Sequence, residues 1–495
     1  MKPRLLCLTT TVATLTGILV AGCSTTPEHP DVVRRVSTDV QWTACPDGAE
    51  ASKGGPRQLQ CAKIQVPRDY NDPEGVKIDL AISKLASKNL DKRRGILMLN
   101  PGGPGGTGLD QPEFLAKQGI SQEVLDTYDL IGIDTRGVGH STRISCGFTD
   151  DLGYLGAVPP YAYDDAAFDE QAALSEEVAR RCAEDPLVPY VSTANMSRDM
   201  NRVRQSLGEE KASFLGYSYG SALGAAYASM YPDTADRIVI DSNIGDTHLD
   251  YEGIRNYALG MEDAFPDFAK WAADRSDRFG LGNTPAEVRD TYFELADKLD
   301  HDVVDGLDGR LFRLSTFVAL YNPRMYEATA KAWKSAREGA PSGQVQLPHV
   351  TPELDNTWSV FLAVTCNDVE WPEDPATYKK AIAADSKVHP LFGAAAANIM
   401  PCAFWRSGPS EAPVAIDDGG PTNVLITQNQ RDPVTPLRNA ELVHEEFGDR
   451  SRLLTVDNSG HGAYVLGKNP CADDVIGEYL VTGSMPTDGF ACGAA

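Results

Sequence analysis

Three residues in this chain have the types and the spacing to do chemistry together: Ser218, Asp432 and His461. A serine hydroxyl is a weak nucleophile until a base takes its proton, and the base needs an acid to orient it. Ser218 sits in Gly216-Tyr217-Ser218-Tyr219-Gly220, after an apolar run at 212–215 and before a small-residue helical pattern at 221–228. Strand, tight turn and helix is the setting of a nucleophile elbow. Glycine on either side lets the backbone turn without a Cβ clash. His461 lies between Gly460 and Gly462, 29 residues after Asp432. Two other residues compete for these roles. Asp241, at the end of the strand after the elbow, is a rival acid and equally a structural aspartate. His140 follows a strand but precedes the serine in the chain.

Each member of the trio follows a predicted strand, so one sheet edge must gather them. Apolar runs at 95–99, 128–134, 212–215, 237–242, 423–428 and 452–456 read as strands. Helical patterns at 165–182 and 196–207 alternate with them, which implies a parallel sheet. Segments 61–67 and 76–83 alternate apolar and polar residues across a turn-rich stretch and read as an antiparallel pair at a sheet edge. The run at 95–99 enters Asn100-Pro101-Gly102-Gly103-Pro104-Gly105-Gly106-Thr107-Gly108, where five glycines in nine residues leave the amides bare. This reads as an oxyanion-hole loop. A phosphate loop would need Gly-Lys-Ser/Thr, which is absent, and a linker is out of place directly after a buried strand. From about 245 to 398 the pattern turns helical. Thr284-Pro285 and Asn322-Pro323 each set a cap residue before proline, so helices are expected from Pro285 and Pro323. The chain order serine, aspartate, histidine is that of an α/β-hydrolase. The expected architecture is therefore the α/β-hydrolase fold, a mostly parallel sheet carrying an inserted helical lid. Its core occupies 39–245 and 399–495, with the lid at 246–398.

The whole chain narrows the partners. Its 495 residues include 70 acidic and 45 basic ones, for a net charge of −25. That opposes binding of nucleic acid or anionic lipid by the body of the protein and suits a soluble extracytoplasmic enzyme. Residues 1–22 read as a leader: Lys2 and Arg4, a mostly apolar stretch at 5–20, then Val20-Ala21-Gly22-Cys23. The last four resemble a bacterial lipobox, in which Cys23 is diacylated and becomes the mature N-terminus. Residues 23–38 read as a tether. Ten cysteines fit export. With Cys7 and Cys23 set aside, Cys45, Cys61, Cys146, Cys182, Cys366, Cys402, Cys471 and Cys492 remain as candidate disulfide partners. Eight cysteines allow 105 pairings, of which pairing in sequence order is the simplest. There is no C-x-x-C, and neither a metal nor a cofactor is expected.

The chain resembles the secreted tripeptidyl aminopeptidases of actinobacteria, relatives of the proline iminopeptidases. The resemblance rests on Asn100-Pro101-Gly102-Gly103-Pro104-Gly105-Gly106, on Asp134-x-Arg136-Gly137-x-Gly139-x-Ser141 and on Gly216-Tyr217-Ser218-Tyr219-Gly220. It continues through Leu320-Tyr321-Asn322-Pro323, Asp432-Pro433-x-Thr435-Pro436 and Ser459-Gly460-His461-Gly462. Thr107 stands where serine is usual, and Ser221 where threonine is usual; both keep the hydroxyl.

The resemblance implies a serine exopeptidase that removes short peptides, tripeptides among them, from free N-termini, with Ser218, Asp432 and His461 as its triad. It places the oxyanion on the backbone N–H groups of Gly103 and Tyr219. An exopeptidase of this kind must reward the substrate's ammonium. The candidates are Asp368 and Glu370, two acids beside Cys366 and Trp371 in the lid. The expected partners are a peptide substrate and, through Cys23 alone, a membrane; a monomer is expected. A cell-surface carboxylesterase or lipase using the same triad is the alternative. A lipid-anchored binding protein on an inactive hydrolase fold is a third reading, which the intact triad opposes.

Overall fold

The computed structural model describes residues 40–46, 59–304, 306–340 and 349–494. The leader at 1–22, Cys23 and the tether at 23–38 lie outside the described residues. Among the described residues, ten strands form one sheet: β1 (Thr43–Ala44), β2 (Gln60–Pro67), β3 (Lys77–Leu85), β4 (Gly95–Asn100), β5 (Tyr128–Asp134), β6 (Ala212–Tyr217), β7 (Ala235–Asp241), β8 (Val424–Arg431), β9 (Ser451–Ser459) and β10 (Phe490–Cys492). Their order across the sheet is β1-β2-β3-β5-β4-β6-β7-β8-β9-β10. The pairs β1/β2, β2/β3 and β3/β5 are antiparallel and the others parallel.

β4 shows why these residues form a central strand. All of its residues are buried. Ile96 and Met98 join the core on one face of the sheet, and Leu97 and Leu99 join the core on the other. Strand side chains alternate faces, so a strand covered on both sides reads as an unbroken apolar run. The first face packs on the helices Thr193–Ser206 and Tyr219–Met230, the second on Gln111–Gln118, Gln122–Thr127 and Pro470–Thr482. Helix Tyr219–Met230 is built of small residues because it lies close on the sheet. A Cβ at Gly224 would stand 2.6 Å from the Phe214 ring and 2.7 Å from Ile240.

Between β7 and β8 the chain leaves the sheet and forms the helices that cover it. The longer ones are Tyr251–Ala273, Pro285–His301, Gly309–Ala319, Tyr326–Glu338, Pro352–Asp368 and Pro375–Val388. Asp250, Thr284, Asp308, Thr351 and Asp374 cap their first turns through a side-chain oxygen. The helix expected from Pro285 starts there. The one expected from Pro323 does not: Pro323–Met325 is a 3-10 turn and the α-helix begins at Tyr326. The Asn322 side chain accepts from Arg324 N–H, only two residues on, which tightens the backbone into a turn. These helices have a ring core of their own, with Phe265, Phe268, Tyr292, Phe312 and Trp333 at centroid separations of 5.1 to 6.2 Å. Each such pair contributes about 0.5–1.5 kcal/mol beyond its buried area.

The eight cysteines pair in sequence order, as Cys45–Cys61, Cys146–Cys182, Cys366–Cys402 and Cys471–Cys492. Bridges over such spans shrink the unfolded ensemble, by roughly 3 kcal/mol for a loop near 15 residues in the chain-entropy account. Among the described residues, no helix is long and apolar enough to cross a membrane.

Candidate active site

Ser218 follows β6 and carries φ 58° and ψ −125°, a backbone state that side chains other than glycine seldom adopt. Its neighbours explain why G-x-S-x-G is needed. A Cβ at Gly216 would stand 2.4 Å from the Gly220 carbonyl oxygen, and one at Gly220 would stand 2.9 Å from Asn100 Oδ1. The glycines supply room, and the strain falls on the serine between them. The Ser218 hydroxyl makes no cap bond to the helix that it opens.

β8 leads into Asp432 and β9 leads to His461. Asp432 is fully buried and accepts from the Val434 and Thr435 N–H groups at 2.9 and 3.0 Å, which close the turn around Pro433. His461 Nδ1 stands 3.0 and 2.9 Å from the two Asp432 oxygens. Nδ1 therefore carries the proton, and Nε2 is left as the acceptor. Burial works to lower the His461 pKa, but the Asp432 carboxylate outweighs it. The net value lies above the ordinary 6.5.

Asp241, the rival acid, has another task. Its carboxylate accepts from Ala463 N–H at 2.9 Å and Tyr464 N–H at 2.7 Å, and Ser242 Oγ accepts from Gly462 N–H at 2.8 Å. Its own carbonyl accepts from Ser218 N–H at 2.9 Å. The end of β7 thus carries both the serine elbow and the histidine loop. Burial pushes the Asp241 carboxyl up to about 6, against the bonds from Tyr464 and Ala463.

The glycine loop after β4 lies against the elbow. A Cβ at Gly102 would stand 2.8 Å from Ser218 Cβ, and Gly102 has φ 94°. Asn100 Oδ1 accepts from Gly102 N–H at 2.9 Å, and Gly106 N–H closes onto Gly102 at 3.2 Å. Downstream, the Asp134 carboxylate accepts from Gly108, Leu109 and His140 N–H groups. Gly103 follows Gly102 in the glycine loop, and Tyr219 is the first residue of the helix after the elbow, where an N–H has no intrahelical partner. His140 stands over Asp134, with its Nδ1 at 3.5 Å, and belongs to this brace rather than to the trio.

The two lid acids part company. Glu370 is exposed. Asp368 is buried, with Oδ1 accepting from Thr193 N–H at 2.8 Å and Oδ2 from Thr193 Oγ1 at 2.5 Å. Burial pushes the Asp368 carboxyl up to about 7, against the Thr193 bonds.

With this geometry in place, comparison with known proteins decides the family. Residues 95–301 match the family model described as alpha/beta hydrolase fold, and residues 389–492 match the one described as TAP-like protein. A tripeptidyl aminopeptidase of Streptomyces coelicolor is 31% identical over 93% of this chain and 87% of its own. The chain belongs to the tripeptidyl aminopeptidase family. It is a serine hydrolase on the α/β-hydrolase fold. Other relatives are the serine protease Hip1 of Mycobacterium tuberculosis, 26% identical over 92% of each chain, and a carboxylesterase B of the same organism, 27% identical over 95% of this chain and 92% of its own.

Within this family member, three groups at the site escaped sequence reasoning. The lid residue Tyr321 accepts His461 N–H on its carbonyl at 2.8 Å, and its ring stands edge-on to the imidazole at 5.3 Å. A Cβ at Gly460 would stand 2.9 Å from that carbonyl, which accounts for the glycine before the base. Thr193 and Ser242 are the others. Tyr321 sits in a readable turn signal, Tyr-Asn-Pro, but nothing local says which loop that turn meets.

Proposed function

We propose that this protein is a serine exopeptidase that releases short peptides, tripeptides among them, from free N-termini. The observation that carries this reading is the pair of buried Asp432 and half-buried His461, with the histidine loop hung on the same strand end as the strained Ser218 elbow. In this mechanism Ser218 Oγ attacks the scissile carbonyl as His461 Nε2 takes its proton. The Gly103 and Tyr219 N–H groups hold the oxyanion. His461 then gives the proton to the leaving amine, and an acyl-enzyme remains on Ser218. Water, deprotonated by His461, releases the short peptide and restores the serine. The lid touches the base loop at Tyr321 and the glycine loop at Thr357, which suits a cleft that admits a chain end. Of the two lid acids, Glu370 has its carboxylate in solvent, where an ion pair is worth little unless the bound peptide covers it.

Peptidyl chromogenic substrates with free and acetylated N-termini, assayed beside a small neutral ester, test the reading. Free-amine peptides should be turned over at least about tenfold faster by kcat/KM than blocked ones, as loss of a desolvated ion pair implies. Equal rates on both, with the ester far ahead, would favour the carboxylesterase alternative.

We further propose that the leader delivers the protein outside the cytoplasm with a lipid on Cys23. Two acyl chains hold stably where one does not. Cys23→Ala should move the protein from the membrane pellet to the soluble fraction, and retention in the pellet would refute the anchor.

A further inference from the structure

We propose that the lid helix Pro352–Asp368 braces both N–H donors of the oxyanion hole, with Asp368 as a positioning residue that acts through Thr193 on Tyr219. The proposal rests on the assignment of Gly103 and Tyr219 as those donors. At its first turns the helix meets the glycine loop. A Cβ at Gly105 would stand 2.6 Å from the Thr357 carbonyl oxygen, so this loop is seated directly on helix backbone. Asn356, on the same turn, accepts from Gly139 N–H at 2.9 Å and donates to the Gly137 and Ile144 carbonyls at 2.7 and 2.9 Å. The glycine loop is thereby held between the helix and the β5 loop.

At its last turn the same helix reaches the elbow. Thr193 Oγ1 donates to Asp368 Oδ2, so its lone pair faces the Tyr219 hydroxyl at 2.6 Å. Tyr219 is then the donor in that bond. Its other neighbour there is Met196 Sδ at 3.4 Å, a weak acceptor. The chain Tyr219, Thr193, Asp368 is buried throughout. It fixes the side chain of the residue whose N–H follows the nucleophile. The helix end is itself pinned. Asn367 donates to the Val188 and Val191 carbonyls at 2.7 and 3.0 Å, and the residue before it is tied down by the Cys366–Cys402 bridge. A helix is stiff along its axis, rising 1.5 Å per residue. Its two ends therefore set the spacing between the glycine loop and the elbow. An oxyanion site depends on such spacing, because a donor displaced by about 1 Å can cost about 100-fold in rate.

The test uses Thr193→Val and Asp368→Asn, singly and together, in the full chain. Each is assayed on a small neutral ester, on its thiono analogue and on a free-amine peptide. Sulfur is a poor hydrogen-bond acceptor, so the oxygen-to-sulfur rate ratio reports the hole. The wild-type ratio should be large. Each variant should lose about 10- to 100-fold in kcat on the oxygen ester with KM within about twofold, and the ratio should fall with kcat. The double variant should be little worse than either single one, as for groups acting in one chain. A ratio that stays high while kcat falls equally on both esters would overturn the brace and leave a structural role. A KM increase confined to the free-amine peptide would overturn it in favour of amine binding at Asp368. A wild-type ratio near one would refute the oxyanion assignment itself, and the brace with it.

Discussion

Ser218→Ala folds as the native protein does and has essentially no turnover. The expectation for folding comes from the elbow. The Ser218 hydroxyl makes no cap bond, and alanine has the same Cβ, so φ 58° is no worse for it than for serine. The glycines that make room at 216 and 220 are untouched. Melting temperature should therefore stay within a degree or two of wild type, because surface-type losses of this kind are small. The expectation for activity comes from the chemistry. Without the oxygen there is no acyl-enzyme, and the oxyanion donors act only on direct attack by water. Loss of a triad member costs on the order of 10⁴-fold or more in kcat. A purified Ser218→Ala protein keeping a tenth of wild-type activity would refute the assignment, and so would continued labelling by a fluorophosphonate.

Asp432→Asn is the second large effect, and it separates the two acids. The asparagine oxygen can keep the bonds from Val434 and Thr435, so the turn around Pro433 should survive. Its amide then faces His461 Nδ1 with a donor, which favours the tautomer protonated on Nε2. That tautomer cannot accept the serine proton, and a fall of about 10⁴-fold in kcat is expected. The pH profile gives an independent reading. Wild-type kcat/KM should rise with pH through an apparent pKa above 6.5, because the base must be neutral and Asp432 favours its charged form. In Asp432→Asn the surviving activity should rise at lower pH, since burial alone lowers an imidazole pKa. Asp241→Asn should behave differently. It turns a donor toward the Tyr464 or Ala463 N–H group, so its main cost should be stability, read as a lower melting temperature. If Asp241→Asn instead abolished kcat at unchanged stability while Asp432→Asn remained active, the roles of the two acids would have to be exchanged.

The features readable from the residues alone are local. An apolar run such as 95–99 marks a strand buried on both faces, because burial leaves no polar side to alternate with. Thr284-Pro285 marks a helix start, because a cap oxygen and a preset φ act within one turn. The candidate trio could be proposed for the same reason: each member carries its own short-range signature, glycines beside the serine and histidine and a proline turn after the aspartate. Even the disulfide pairing follows the order of nearest neighbours in the chain. The groups that support these three residues come from distant parts of the chain and emerge only on folding. Ser242 meets Gly462 across 220 residues of chain, and Asp368 meets Thr193 across 175. The short strands β1 and β10 also exist only through their partners. Such contacts depend on how strands are ordered in the sheet and where the lid docks. Those arrangements follow from the packing of whole faces, and no window of neighbouring residues encodes them.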